Sequence, residues 1–307
     1  MNADTGARSG TDPAAGTGGI YKTRAGAEEI LRRYRKALAD WPVPAEHVRV
    51  PTGEGETFVV VSGPPDAPPL VLLHGSGANA TTWQGDIAAW SRHFRTYAVD
   101  LVGEPGHSAP SRPVLASEAP AQWLDEVLAG LGITRTALVG ISLGGWCALD
   151  YALRRPERVT RLALLCPGGV GRQKVAWLFK ALLLRALGRR GAGRSVRTVM
   201  GPEAAELEPV LETVALTFAH FRPRTERLPV FPDEALRRLA APLLVIAGGR
   251  DALFDSAGTA RRVRECVPGA TVRLLPEAGH ALLGQTGPVL EFLREQGADG
   301  KANALTE

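Results

Sequence analysis

The sequence is poor in cysteine, in lysine and in long apolar runs, and each shortage excludes a class of protein. Three cysteines (Cys147, Cys166, Cys266) cannot all pair. Each lies within or at the end of an apolar run, the usual setting of a buried, reduced thiol rather than of a disulfide framework. No apolar run approaches the roughly eighteen residues that a membrane span needs, and the first nineteen residues lack the apolar core of a secretory signal. The expectation is a cytoplasmic protein without stable membrane insertion. The 307 residues include 5 Lys beside 31 Arg, a bias that fits coding composition better than phosphate recognition, so no nucleic-acid partner is expected. No G-x-x-x-x-G-K-[ST] loop occurs, and the glycines around Gly140 have the wrong spacing for a dinucleotide fingerprint. His and Cys do not cluster at ligand spacings, so neither a metal nor a cofactor is implied.

Basic charge is concentrated in one place. Between Arg172 and Arg197 stand eight cations and no Asp or Glu, so this segment outweighs the formal net charge of +4 and leaves the rest of the chain acidic. What the chain has in quantity is apolar residues, 45% of the total, enough for a large core. Residues 1–19 have almost nothing to bury and read as a disordered tail, as do residues 297–307. Ile30, Leu31, Tyr34, Leu38 and Trp41 recur at helical spacing, giving an amphipathic helix within residues 20–44 that packs on the main body. A hairpin follows, with Val48–Val50 joined to Thr57–Ser62 through Gly53 and Gly55.

The period then changes. Short apolar runs alternate with longer helical patterns: strands at Leu70–His74, Thr96–Leu101, Ala137–Ile141 and Val159–Cys166, with helices near Trp83–Ser91, Ala116–Leu131 and Leu143–Arg154 between them. Runs such as Leu70-Val71-Leu72-Leu73 do not alternate in polarity, so both faces of those strands are covered. The fold class is α/β, a mostly parallel sheet flanked by helices. The alternation stops at Pro167 and resumes with the strand Leu243–Ala247, helix Thr259–Cys266, strand Thr271–Leu275 and helix Leu282–Glu295. Residues 45–167 and 241–296 therefore form one core, and residues 168–240 are a helical insertion. In that insertion Val175, Leu178, Phe179, Leu182, Leu183 and Leu187 line one helical face, and Val210, Val214, Phe218 and Phe221 line another.

The chemistry centres on Gly140-Ile141-Ser142-Leu143-Gly144-Gly145, where a buried strand meets a helix. On such a strained turn Ser142 holds its hydroxyl clear of the backbone, and the glycines two before and two after leave room for the bend. A serine hydroxyl needs a base, and the base needs an orienting acid. His280, in a glycine-containing loop after the last strand, is the candidate base. Asp251, directly after the strand Leu243–Ala247, is the candidate acid, with Asp255 as its rival four residues on. No carboxylate follows the strand ending at Cys166, and Asp150 reads as a solvated or structural charge. The N–H groups of Ser76, in His74-Gly75-Ser76-Gly77, and of Leu143 are the candidate oxyanion donors, the latter adding the positive end of its helix.

On these residues the chain resembles the α/β-hydrolase fold superfamily, of the capped, carboxylesterase-like serine hydrolase type. The resemblance covers about residues 45–296 and rests on His74-Gly75, the loop with Asp100, Gly103, Gly106 and Ser108, the Gly140–Gly144 elbow, Asp251 and His280. It implies an α/β-hydrolase core with an inserted lid. The family's loop commonly reads D-x-x-G-x-G-x-S, whereas Asp100 to Ser108 is one residue longer, a departure in a structural loop with Asp100 as its brace. The expected activity is hydrolysis of a carboxylic ester of a hydrophobic small molecule through an acyl-enzyme. Trp177, Phe179, Phe218 and Phe221 of the lid are candidate substrate contacts. Trp146, beside the elbow, belongs either to the core or to the pocket. The cationic stretch reads as a lid with its Arg and Lys heads in water, with a membrane-surface helix or capture of an anionic substrate as alternatives. Carbon–carbon bond hydrolases, thioesterases, acyltransferases and perhydrolases use the same three residues, and a non-hydrolytic binding protein or lyase is the alternative from a different class.

Overall fold

A computed structural model describes residues 19–174 and 208–295; the expected tails and the apolar stretch from Val175 to Leu187 lie outside the described residues. In chain order the elements are α1 (Arg24–Ala39), β1 (Ala45–Thr52), β2 (Gly55–Ser62), β3 (Pro69–Leu73), α2 (Gln84–Trp90), β4 (Arg95–Val99), α3 (Ala119–Gly130), β5 (Thr136–Ile141), α4 (Leu143–Arg154) and β6 (Val159–Leu165). After β6 come α5 (Glu208–His220), α6 (Asp233–Arg237), β7 (Leu243–Gly248), α7 (Ser256–Cys266), β8 (Thr271–Leu275) and α8 (Thr286–Arg294).

The eight strands form one sheet in the order β1-β2-β4-β3-β5-β6-β7-β8. β1 and β2 pair antiparallel, β2 meets β4 antiparallel, and every pairing from β4 through β8 is parallel. The central strands explain the unbroken apolar runs. On β3, Val71 and Leu73 face one apolar cluster and Leu70 and Leu72 the other; on β5, Leu138 and Val139 divide in the same way. Alternation survives in which side each residue faces but not in polarity, because helices cover both sides. At the rim the pattern relaxes, and β8 is largely exposed.

α1 starts at Arg24, six residues before Ile30 where the expected apolar spacing begins, because Thr23 caps it by accepting from the Gly26 N–H at 3.0 Å. Its buried face carries Ile30, Tyr34 and Leu38. The strand expected to run through Leu101 ends at Val99, because Asp100 is drawn into side-chain bonds that turn the chain. The last helix begins at Thr286 rather than Leu282. Asp150 is 3% exposed and pairs with Arg154 at 2.9 Å, so the solvated option for it falls away.

The sheet order also locates the business end. The chain leaves β3 toward β4 on one side, and the next crossover returns to β5 on the other. In open α/β sheets the crevice outside the carboxyl ends at such a reversal is where ligands bind. Leu73 and Gly140 are partners at that point, so the loops after β3 and β5 open side by side.

Candidate active site

Ser142 stands between β5 and α4 with φ 55° and ψ −112°, a left-handed setting that costs a non-glycine residue about 1–3 kcal/mol. The surroundings hold it there. Its N–H donates to Leu165 O at 3.0 Å, and its carbonyl accepts from Trp146 N–H at 3.0 Å and from Gly168 N–H at 3.2 Å. The flanking glycines are required by close approach: a Cβ on Gly144 would lie 2.1 Å from the Leu73 carbonyl oxygen, and one on Gly140 would lie 2.4 Å from that of Gly144. The elbow is therefore pressed onto the end of β3. A Cβ on Gly75 would sit 3.4 Å from Ser142 Cβ, which brings the His74–Gly77 loop alongside the serine.

That loop is braced from beneath. His74 is fully buried; its Nδ1 pairs with Gly75 O at 2.8 Å and its Nε2 accepts from the Leu101 N–H at 2.9 Å. Burial pushes the imidazole down to about 4, so it serves the loop as a neutral group. Asp100, also fully buried, accepts from the Ala80 N–H, the His107 N–H and the Tyr34 hydroxyl. Burial raises its carboxyl to about 6 against the lowering effect of those donors. The extra residue of this loop falls next to Glu104, which is 2% exposed. Glu104 Oε2 accepts from Gly77 N–H at 2.6 Å and from the Ser76 hydroxyl at 3.2 Å. The sequence reading missed this carboxylate, and the one-residue lengthening was the only signal available for it.

On the far side of the crevice His280 Nδ1 and Asp251 Oδ2 lie 2.8 Å apart. Asp251 is 2% exposed, and its other oxygen accepts from the N–H groups of Leu253 and Phe254 at 2.7 and 3.1 Å. Burial alone would raise its carboxyl, but the His280 contact and these two backbone donors hold it below the ordinary range. His280 reaches it because Gly248 and Gly249 let the loop after β8 close onto the end of β7; a Cβ on Gly248 would lie 2.0 Å from Gly279 O. Asp255 does different work, capping α7 through the Gly258 N–H at 3.0 Å. Lys174 Nζ donates to Asp251 O at 2.8 Å and ties the chain after β6 to the acid's loop.

Cys166, at the end of β6 with φ 41°, joins this pair. Ligand-capable atoms of Cys166, Asp251 and His280 lie within 4.8 Å of one another, a grouping that linear spacing could not reveal. Burial and the neighbouring Asp251 carboxylate push the thiol's pKa upward, so it stays protonated. The His280 nitrogen nearest Asp251 is already engaged in its hydrogen bond.

Of the candidate substrate contacts, Phe218 is 40% exposed, and its ring covers Gly77, where an added Cβ would lie 2.7 Å from Phe218 Cζ. Phe221 is fully buried, with Tyr21 edge-on and the Arg112 guanidinium over its ring. Trp146 is 1% exposed, stacks on Phe231 and donates its indole N–H to Pro229 O at 2.8 Å, which is a packing role. Trp177 and Phe179 lie outside the described residues.

Residues 70–292 match the alpha/beta hydrolase family. Carboxylesterase YbfK of Bacillus subtilis is 32% identical over 263 residues, 82% of this chain and 88% of its own. The crystal structure of carboxylesterase CesB (YbfK) from the same organism superimposes with a TM-score of 0.78 at 31% identity, covering 88% of this chain and 99% of that one. Naproxen esterase (carboxylesterase NP) of Bacillus subtilis gives a TM-score of 0.76 at 31% identity, covering 90% and 98%.

Proposed function

The chain belongs to the alpha/beta hydrolase family and is a serine hydrolase of carboxylic esters, and we propose that Ser142, His280 and Asp251 carry the reaction. The supporting observation is the buried Asp251–His280 pair at the same sheet edge as a serine held at positive φ. With Nδ1–H donated to Asp251, the imidazole presents Nε2 as the base. Ser142 Oγ attacks the ester carbonyl as its proton passes to His280. The oxyanion is met by the N–H groups of Ser76 and Leu143, the second at the start of α4, where the helix dipole favours negative charge. His280 then gives its proton to the departing alcohol, and water, deprotonated by the same imidazole, releases the acid. Asp251 stabilises the imidazolium formed in each half. The sequence of steps calls on no metal or cofactor.

The substrate class we assign is a small ester with a hydrophobic group. Phe218 over Gly77 supports this, because it sets an aromatic wall beside the oxyanion loop. Residues 168–240 are read as a cap: the chain leaves the sheet after β6, returns at β7, and brings α5 to the crevice in between. Among the described residues no helix is long and apolar enough to cross a membrane. The cytoplasmic assignment rests on three free cysteines.

Two measurements test the mechanism. A fluorophosphonate probe should label Ser142, and Ser142→Ala should abolish turnover of p-nitrophenyl esters. A fully active alanine variant would remove Ser142 from the mechanism.

A further inference from the structure

We propose that Glu104 is a positioning residue for ester hydrolysis, its buried carboxylate pinning the Ser76-Gly77 segment so that the Ser76 N–H is held ready for the oxyanion. The inference rests on the hydrolase mechanism above and adds a residue to it.

The geometry is specific to that segment. Both hydrogen bonds of Glu104 Oε2 go to it, one to the Gly77 backbone N–H at 2.6 Å and one to the Ser76 hydroxyl at 3.2 Å. Together they fix the peptide linking Ser76 to Gly77 from the side chain of one residue and the backbone of the next. Gly77 has φ 73°, and its α-carbon packs under Phe218, so the loop has little freedom once the carboxylate is in place. Ser76 itself is exposed, and without Glu104 nothing in its own burial would fix its amide.

A buried carboxylate is a costly way to brace a loop. Burial pushes the Glu104 carboxyl up to about 7, offset by the Gly77 N–H, by Arg112, by the Ser76 hydroxyl and by Arg224. Other ionisable groups that sense it are the Tyr21 hydroxyl and the Cys147 thiol. A loop serving only the fold would be served as well by an apolar residue of similar volume. A loop that must hold an amide toward a developing charge gains from one side-chain oxygen that accepts two bonds at once, because both contacts are then fixed together. The carboxylate's own charge would oppose the oxyanion, and the cations of Arg112 and Arg224, from two separate segments, counter it. The turn that delivers Glu104 is the lengthened part of the loop: Gly103 has φ 75°, and Gly106 N–H bonds back to Glu104 O at 2.9 Å.

The experiment compares wild type with Glu104→Ala, Glu104→Gln and Glu104→Asp on p-nitrophenyl acetate. It also measures inhibition by an aryl trifluoromethyl ketone, which forms a tetrahedral adduct with the nucleophile. Glu104→Ala should lower kcat about 10- to 100-fold, less than the roughly 100- to 1000-fold of an oxyanion donor removed outright because the Ser76 N–H is loosened rather than lost, while KM moves by less than about threefold. The ketone's inhibition constant should rise by the factor that kcat/KM loses. Glu104→Gln, whose amide oxygen can accept both bonds, should restore kcat to within about threefold of wild type. Should the alanine variant fail to fold, Glu104→Asp keeps the charge and withdraws the acceptor by one methylene, so kcat should fall and the ketone weaken together. The proposal is overturned if folded Glu104→Ala keeps wild-type kcat, if glutamine is no better than alanine, or if the ketone binds every variant alike. A wild type that neither turns over esters nor labels at Ser142 would instead overturn the catalytic assignment, whatever the Glu104 variants do.

Discussion

Asp251 and Asp255 share one loop and face opposite tasks: Asp251 Oδ2 meets His280 Nδ1 at 2.8 Å, and Asp255 turns away to cap α7 through Gly258. The pair makes a clean contrast. Asp251→Asn should leave thermal stability near wild type and lower kcat by roughly 10⁴-fold, because the amide orients the imidazole wrongly and cannot support its charge. Asp255→Ala should cost about 1 kcal/mol of stability through the lost cap and leave kcat unchanged. Urea denaturation and ester kinetics on both variants check this, and the reverse pattern would transfer the acid's role to Asp255.

The contrast also shows where sequence reasoning was strong. The positions of Ser142 and Asp251 were legible because each lies just past a buried apolar strand, β5 or β7, whose end fixes where the side chain emerges, and that of His280 came from the glycine-containing loop after β8. The strand pattern itself was readable from runs such as Leu70 to Leu73, whose lack of alternation reports two covered faces. Glu104 was hidden for the opposite reason. It lies in a loop with no period, and its partners Ser76 and Gly77 are 28 and 27 residues away, so only tertiary structure reveals that it is buried. For Cys166 the sequence shows only the setting of a buried, reduced thiol, and its approach to Asp251 and His280 depends on β6 lying beside β7. Trp146 could have faced either way on α4; Phe231 and Pro229, from the segment returning to β7, decided for the core.

Gly144 carries a prediction about the elbow. Its α-carbon lies against the end of β3, and an added methyl would be 2.1 Å from Leu73 O and 2.4 Å from His74 O, both rigid backbone. Neither can move without disturbing the His74–Gly77 loop. Gly144→Ala should therefore destabilise by about 1–3 kcal/mol, as overpacking does, and reduce fluorophosphonate labelling of whatever protein remains folded. Unfolding curves combined with labelling rates give the result; normal stability with normal labelling would show that the contact relaxes freely.

Phe218 should govern selectivity rather than chemistry. Its ring lies over Gly77 yet remains 40% exposed, so truncation opens space beside the His74–Gly77 loop without opening the core. Phe218→Ala should raise KM for esters with a bulky aryl group by about 5- to 50-fold, the equivalent of losing about 1–2 kcal/mol of apolar contact. For p-nitrophenyl acetate, kcat should stay within about twofold. A panel of acyl and alcohol sizes would show which half of the ester meets the ring, and equal effects across the panel would remove Phe218 from the pocket.

Glu104 also makes stability depend on pH in the direction opposite to a carboxylate whose value the fold lowers, such as Asp251. Its folded-state value is raised by burial from about 4.5 to about 7. Between those values the unfolded chain has released the proton and the folded chain has kept it, so the folded state binds more protons and stability falls as pH rises. The contribution is fully present below about 4.5 and is lost as the pH climbs through about 7. His74, pushed down to about 4 by burial, acts in the other sense, since its contribution is lost on acidification. Wild-type curves therefore mix the two. Subtracting them from those of Glu104→Gln isolates the carboxylate, because His74 is common to both proteins. The melting temperature of Glu104→Gln minus that of wild type should increase from pH 4.5 to pH 7 and level off above roughly pH 8. Scanning calorimetry across that range decides it: a difference that stays flat would mean that Glu104 titrates as an ordinary exposed carboxylate.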